Sequence, residues 1–138
     1  LDIGMMCGSF VHPAFLAANP ELVATASAVF HLAAEWSAKH LGEASTMYYD
    51  HCEEEGFLCT EEVAAKTMDW YRGPSVDQYI EKFTTEEDGH LAIENDILLG
   101  YDFFVSEGKY TAEQRDAWLN AHRVDNSVAL AVKELLGR

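Results

Sequence analysis

Apolar residues recur at helical spacing along the first half of the chain. Asn19-Pro20-Glu21 indicates a helix start, because Asn caps a helix, Pro suits the first helical position and an acidic residue favours the positive end of the helix dipole. The helix predicted from there runs toward Glu54, with a kink near Gly42. Its apolar face, which we expect to lie in the core, comprises Leu22, Ala26, Val29, Ala33, Trp36 and Met47.

Polar residues of the same helix fall on two different sides of it. His40 lies in the middle of the apolar face, and Glu43 lies at its edge. His31 and Glu35, four residues apart, lie on the opposite side with Lys39 nearby. We therefore expect His40 to point inward, and His31 and Glu35 to form an exposed ladder of ion pairs.

One helix-ending phrase occurs twice, 52 residues apart. Tyr49-Asp50 is followed after four residues by Glu55-Gly56, and Tyr101-Asp102 is followed after four residues by Glu107-Gly108. Glycine readily adopts the left-handed conformation that ends a helix, and a threonine a few residues further on caps the next helix. The repeated phrase therefore predicts two helical hairpins.

Capping signals divide the rest of the chain into further helices. They predict helices from Thr60 to about Tyr71, from Ser75 to Phe83, from Thr84 to about Ser106, and from Thr111 to near Leu136. No segment alternates like a strand. The predicted fold class is all-α: a single-domain bundle of four main helices and one short helix, arranged as two hairpins. Residues 1–18 are expected to form an irregular arm or a short helix, and residues 19–138 the helical bundle domain.

Ionisable residues share the apolar face of the helix predicted over residues 85–106. Glu87, His90 and Glu94 project onto the same face as Leu98 and Tyr101. A buried carboxylate needs a partner or a proton, because removing it from water alone costs several kcal/mol. Glu-x-x-His spacing is also what helical bundles use to hold two iron or manganese ions.

One hypothesis is therefore a divalent-metal site in the bundle. Its candidate ligands, drawn from three helices, are Glu87, His90, Glu94, His40, Glu43 and His122. The second Glu-x-x-His that such sites normally contain is missing from the sequence. Solvated helix ends and one or two hydrogen-bonded core histidines are the simpler interpretation.

The chain is strongly acidic, and this restricts its partners. Nine basic residues against 24 acidic residues give a net charge of −15. Such a charge repels phosphate backbones and anionic membrane surfaces, so we expect no binding to nucleic acid or membrane. Three cysteines, an odd number, argue against a disulfide framework. The expected location is the cytoplasm.

Aromatic residues occur on more than one helical face, which indicates a binding surface in addition to the core. Core packing explains most of them, but an aromatic second face is often buried against a partner. We therefore expect a homodimer or a small apolar ligand held between helices. The candidate ligand-binding residues are Trp36, His40, Tyr101, Phe104 and Trp118.

Three functions fit these patterns. The favoured hypothesis is a non-enzymatic interaction or ligand-binding module that forms homo-oligomers, since no phosphate-binding loop or catalytic motif is present. The second is the metal-binding bundle described above. The third is an acidic decoy or inhibitor whose acidic stretches, residues 50–62 and 77–96, would occupy the surface of a basic partner protein.

Overall fold

The computed structural model describes residues 11–121 and 124–138. Within these ranges the chain forms eight helices and one short hairpin, which confirms the all-α class. The helices are α1 (Pro13–Ala18), α2 (Pro20–Lys39), α3 (Leu41–Glu54), α4 (Glu61–Trp70), α5 (Val76–Thr84), α6 (Ala92–Ser106), α7 (Ala112–Asn120) and α8 (Ser127–Leu136), and the strands are β1 (Glu86–Glu87) and β2 (His90–Leu91). Residues 1–10 of the predicted arm lie outside the described residues, and α1 covers part of the rest.

The chain divides into two compact units. One unit comprises Ala26–Tyr79, and the other comprises Leu1–Thr25 together with Ile80–Arg138. Buried side chains of the first unit include Ala64 and Val76, and those of the second include Leu98 and Val132. In the described ranges, no helix combines the length and the apolar character that a membrane crossing requires.

Both predicted hairpin turns form, one in each unit. Gly56 follows α3 with φ 73°, and the N–H of Phe57 donates to the carbonyl of Cys52 at 2.8 Å. Gly108 follows α6 with φ 67°, and the N–H of Lys109 donates to the carbonyl of Phe104 at 2.9 Å. These reverse bonds satisfy carbonyls that would otherwise have no partner at the end of a helix. Helix α3 packs against α4 and α6 against α7, as the repeated phrase predicts.

Two of the predicted helices are each divided in two. His40, with φ −124° and ψ 47°, separates α2 from α3, two residues before the predicted kink. The helix predicted from Thr111 onward ends with α7, and a new helix, α8, begins at Ser127. Asp125 accepts a hydrogen bond from the N–H of Ser127 at 2.7 Å, so this backbone donor at the start of α8 has a partner.

Residues 86–91 form a hairpin where the sequence pattern predicted the start of a helix. Asp88 and Gly89 have φ values of 54° and 82°, and Glu87 pairs with His90 in the antiparallel ladder. Two consecutive residues with positive φ make a tight hairpin turn, for which Asp-Gly is a preferred sequence. The prediction of a helix beginning at Thr84 was therefore wrong, and α6 begins at Ala92.

The buried face of α2 is the reverse of the predicted one. Ala28 and His31 are 2% and 8% exposed, whereas Leu22 and Val29 are 59% and 60% exposed. Small side chains allow the neighbouring backbone to approach α2 closely: a Cβ atom added at Gly73 would lie 3.1 Å from that of Ala34. The close approach explains why the small face lies inside and the large apolar face outside.

Candidate functional site

Glu94 is the most deeply buried ionisable residue that the structure describes, with 2% of its surface exposed. Its Oε2 atom accepts a hydrogen bond from the backbone N–H of Leu91 at 2.9 Å, which caps the start of α6. The same oxygen lies 3.9 Å from Nδ1 of His90. The sequence correctly placed Glu94 on the buried face, and the structure brings it together with His90.

The surroundings of Glu94 form a small cavity rather than a pocket for an organic ligand. The cavity holds about 150 Å³ and is lined by Glu86, Gly89, Leu91, Glu94, Val124 and Asn126. Pockets for small molecules usually measure about 300–1,000 Å³. The hydrogen bond to Leu91 gives Glu94 a structural role in this unit, as the residue that fixes the junction between the hairpin and α6.

The other predicted metal ligands do not join this pair among the described residues. Glu87 accepts a hydrogen bond from the side chain of Asn95 at 3.2 Å on an exposed surface. His40 and Glu43 belong to the unit Ala26–Tyr79, and both are exposed. His122 lies outside the described residues. Across residues 11–121 and 124–138, no three His, Cys, Asp or Glu side chains form a group that could hold a metal ion.

Three of the predicted ligand-binding residues belong to one aromatic cluster on the α6–α7 hairpin. The ring of Tyr101 lies 5.2 Å from that of Trp118 and 5.6 Å from that of Tyr110. Phe104 lies 5.7 Å from Tyr110 in an edge-to-face contact. Phe104 and Tyr110 remain 45% and 44% exposed. The cluster therefore holds the hairpin together and leaves part of its surface open to solvent.

The remaining two predicted ligand-binding residues form a separate pair at the end of α2. The rings of Trp36 and His40 stack at 4.9 Å, and Nδ1 of His40 hydrogen-bonds to the carbonyl of Trp36 at 2.9 Å. Trp36 is 38% exposed. The expectation that His40 points into the core was wrong, because the helix ends there and its ring bonds back to the last turn.

His31, a buried histidine, occupies a position that the sequence pattern predicted to be exposed. Its ring stacks on Tyr79 at 4.0 Å, and Nδ1 hydrogen-bonds to the carbonyl of Pro74 at 3.3 Å. Burial lowers the pKa of His31, and the bond to Pro74 opposes this effect. Burial likewise raises the pKa of Tyr79, which a hydrogen bond to Ser27 partly offsets.

Glu35 takes part in the same packed region. Its Oε1 atom accepts a hydrogen bond from the buried N–H of Val76 at 2.9 Å, at the start of α5. Lys39 lies 3.8 Å from its other oxygen, whereas the exposed pair expected between His31 and Glu35 was wrong, because His31 is buried and its ring bonds to the carbonyl of Pro74. The contact spans 41 residues of sequence. The capping box at Ser75 and Gln78 marks the start of α5 in the sequence, but no local pattern indicates that Glu35 reaches it.

The outer face of α2 carries an exposed stripe, which we call the α2 seam. It consists of Ala26, Val29, Ala33 and Trp36, all of them exposed residues of the unit Ala26–Tyr79. Phe30 and Leu32 flank the seam and are 59% and 39% exposed. Contiguous exposed apolar patches of this kind mark interaction surfaces more often than isolated exposed residues do.

Compared with known protein families, with curated proteins and with solved structures, the chain matches none of them.

Proposed function

We propose that this chain is a non-enzymatic helical interaction protein that acts as a homodimer, with the α2 seam as its dimer surface. The observation that carries the proposal is the exposure of that seam. Val29 and Trp36 are 60% and 38% exposed on a face that has the pattern of a core.

The size of the exposed patch supports a modest interface. A fully exposed aromatic side chain would present roughly 150–250 Å², and Trp36 and Phe30 are 38% and 59% exposed. Together with the exposed parts of Val29 and Leu32, they offer a patch on the order of 500 Å² at most. Two copies would then bury about 1,000 Å², which is the lower limit for a specific interface. We therefore expect a dimer that dissociates on dilution.

The absence of charged side chains from most of the seam allows a second copy to approach it. The chain carries 24 acidic residues and a net charge of −15, so contact between most parts of two copies would bring carboxylates together. Residues 22–34 of α2 contain no Asp, Glu, Lys or Arg. His31, the one titratable side chain among them, is buried on the inner face. The seam therefore lets two acidic chains meet without like-charge repulsion at the contact.

A protein interaction is favoured over the binding of a small molecule. The cavity beside Glu94 holds about 150 Å³, and its lining includes two carboxylates, from Glu86 and Glu94. A larger hollow of about 340 Å³ beside Val63, Lys66, Thr67 and Trp70 is lined by α4 alone and lies open to solvent. The exposed aromatic rings of the α6–α7 cluster and of α2 line neither of these cavities, and such exposed rings suit a partner protein better than an enclosed ligand.

The test is analytical ultracentrifugation of matched variants between about 1 and 200 μM, a range suited to an interface of this size. Val29→Glu places a charge in the seam and should give a monomer throughout this range. Val63→Glu is the matched control: it makes the same substitution on α4, where the side chain is 50% exposed, and should leave the dimer intact. Circular dichroism checks that both variants keep their helices.

Two results would count against the proposal. A wild-type chain that sediments as a monomer at the highest concentration would show that the seam does not mediate self-association. Equal loss of the dimer in both variants would show that total charge, and not the seam, controls association.

A further inference from the structure

We propose that Cys52 and Cys59 are a thiol pair that a hydroperoxide converts reversibly into a disulfide across the turn between α3 and α4. The proposal does not depend on self-association through the α2 seam. Both cysteines belong to the unit Ala26–Tyr79, and both are free thiols in this structure. Three features support the proposal: the path of the turn, the contact between the two thiols and their different exposure.

The turn brings the two cysteines together. Cys52 lies in the last turn of α3, and Cys59 directly precedes Thr60, the residue that caps α4. Between them, Gly56 reverses the chain with φ 73°, and the N–H of Phe57 donates to the carbonyl of Cys52 at 2.8 Å. Helices α3 and α4 then pack against each other. Cys59 therefore follows by two residues a backbone group that is bonded to Cys52.

The two thiols are in contact. The thiol of Cys59 lies within hydrogen-bonding reach of the Cys52 thiol, and its sulfur lies 3.5 Å from the carbonyl oxygen of Thr60. The two sulfurs still have to approach each other before a bond of about 2.05 Å can form. The segment that has to move is free to do so, because residues 57–60 form neither helix nor strand and the side chain of Leu58 is fully exposed.

The different exposure of the two thiols gives each a role in the reaction. Cys59 is half-buried, whereas Cys52 is 4% exposed, so a hydroperoxide reaches Cys59 first. The thiolate of Cys59 attacks one oxygen of the peroxide, the O–O bond breaks, and the sulfur becomes a sulfenic acid. Cys52 then loses its proton and attacks this sulfur, the S–O bond breaks, and the oxygen leaves as water.

The reaction balances with hydrogen peroxide as the oxidant. Two thiols and one peroxide give one disulfide and two molecules of water. In the reverse direction, a dithiol reductant supplies two electrons and two protons by thiol–disulfide exchange. Burial raises the pKa of Cys59, and the adjacent Cys52 thiol raises it further, so the reactive thiolate is scarce at neutral pH. The oxidation should therefore be followed at about pH 8.5.

Mass spectrometry of the intact chain tests the proposal. Every variant carries Cys7→Ser, because Cys7 lies outside the described residues and would add a third thiol. Hydrogen peroxide at roughly tenfold molar excess should lower the mass by about 2 Da and remove both titratable thiols, and dithiothreitol should restore them. In the matched variant Cys52→Ser, Cys59 should instead gain oxygen in steps of about 16 Da. In Cys59→Ser, the buried Cys52 should stay reduced at the same dose.

Three results would overturn the proposal. The first is gain of oxygen by the chain with both cysteines, without the loss of about 2 Da. The second is a disulfide between two chains, seen by electrophoresis without reductant. The third concerns stability: the oxidised chain should melt roughly 3–10 °C above the reduced chain at equal protein concentration, because the disulfide restricts the unfolded chain. A lower melting temperature would show that the bond forms only by distorting the hairpin.

Oxidation of Cys52 in Cys59→Ser as fast as that of Cys59 in Cys52→Ser would refute the order of the two steps.

Discussion

Replacing Glu35 by alanine should destabilise the chain much more than the same change at Glu62. The two residues are equivalent in sequence, because each is followed four positions later by a lysine. The structure separates them: Glu35 accepts a hydrogen bond from the N–H of Val76 at 2.9 Å, and Val76 is 0% exposed. Glu62 pairs with Lys66 at 2.7 Å in solvent, with 77% of its side chain exposed.

The expected magnitude follows from these contacts. Loss of a hydrogen bond to a charged group costs about 1.5–3 kcal/mol. The upper part of this range applies when the donor that is left without a partner is buried. The carboxylate also faces the N-terminal end of α5, which contributes about 0.3–1 kcal/mol. Since the two effects overlap, we expect Glu35→Ala to lower the free energy of unfolding by about 2–3 kcal/mol. Glu62→Ala removes an exposed i,i+4 pair and should cost about 0.5 kcal/mol or less.

Urea denaturation followed by circular dichroism measures this difference. All variants must be compared at one protein concentration, because dimer formation stabilises the folded chain by mass action. Glu35→Gln is the informative third variant: its amide oxygen can still accept from Val76, so it should recover part of the loss. Values for Glu35→Ala and Glu62→Ala that agree within about 0.5 kcal/mol would refute the reasoning.

Three further predictions concern single residues. Burial lowers the pKa of His31, so the folded state resists protonation of this ring. The stability that the neutral ring contributes should be retained above the unfolded pKa of about 6.5 and lost as the pH falls below it. His31→Gln should therefore flatten the pH dependence of the melting temperature. Gly73→Ala would press a methyl group against Ala34 at 3.1 Å and should destabilise by about 1 kcal/mol, whereas Gly100→Ala, with open space around it, should stabilise by up to about 1 kcal/mol in the same melting experiment. Glu94→Ala removes the acceptor of a backbone N–H at the start of α6 and should cost about 1–2 kcal/mol in urea denaturation, while a loss below about 0.5 kcal/mol would show that this cap is unimportant.

Local signals in the sequence were reliable where the chemistry is local. The capping box at Ser75 and Gln78 forms as predicted, with reciprocal bonds of 2.9 and 3.2 Å. Thr111 and Gln114 form the same reciprocal pair at the start of α7. Each cap satisfies donors within four residues of itself, so the residues that decide the structure are present in the local sequence.

Competing local signals produced the error at residues 84–91. Thr84 with Glu87 three residues later has the spacing of a capping box, but the hydroxyl of Thr84 bonds instead to the carbonyl of Ile80 at 2.6 Å, within α5. The Asp88-Gly89 turn then reverses the chain before α6 begins. The position of Glu94 survived this error, because its burial depends on the phase of α6 itself.

The orientation of α2 could not be decided from its own pattern. The helix has a large apolar face, with Leu22, Val29 and Trp36, and a small face that includes Ala28 and His31. Hydrophobicity ranks the large face first for burial, whereas close approach of another backbone requires the small one. Within a single chain the second requirement prevails. If two copies pair through the α2 seam, both requirements are met, since each face is then buried against a surface of its own. The apolar pattern would then have identified a buried face correctly, and what it could not specify is that the covering helix belongs to a second copy.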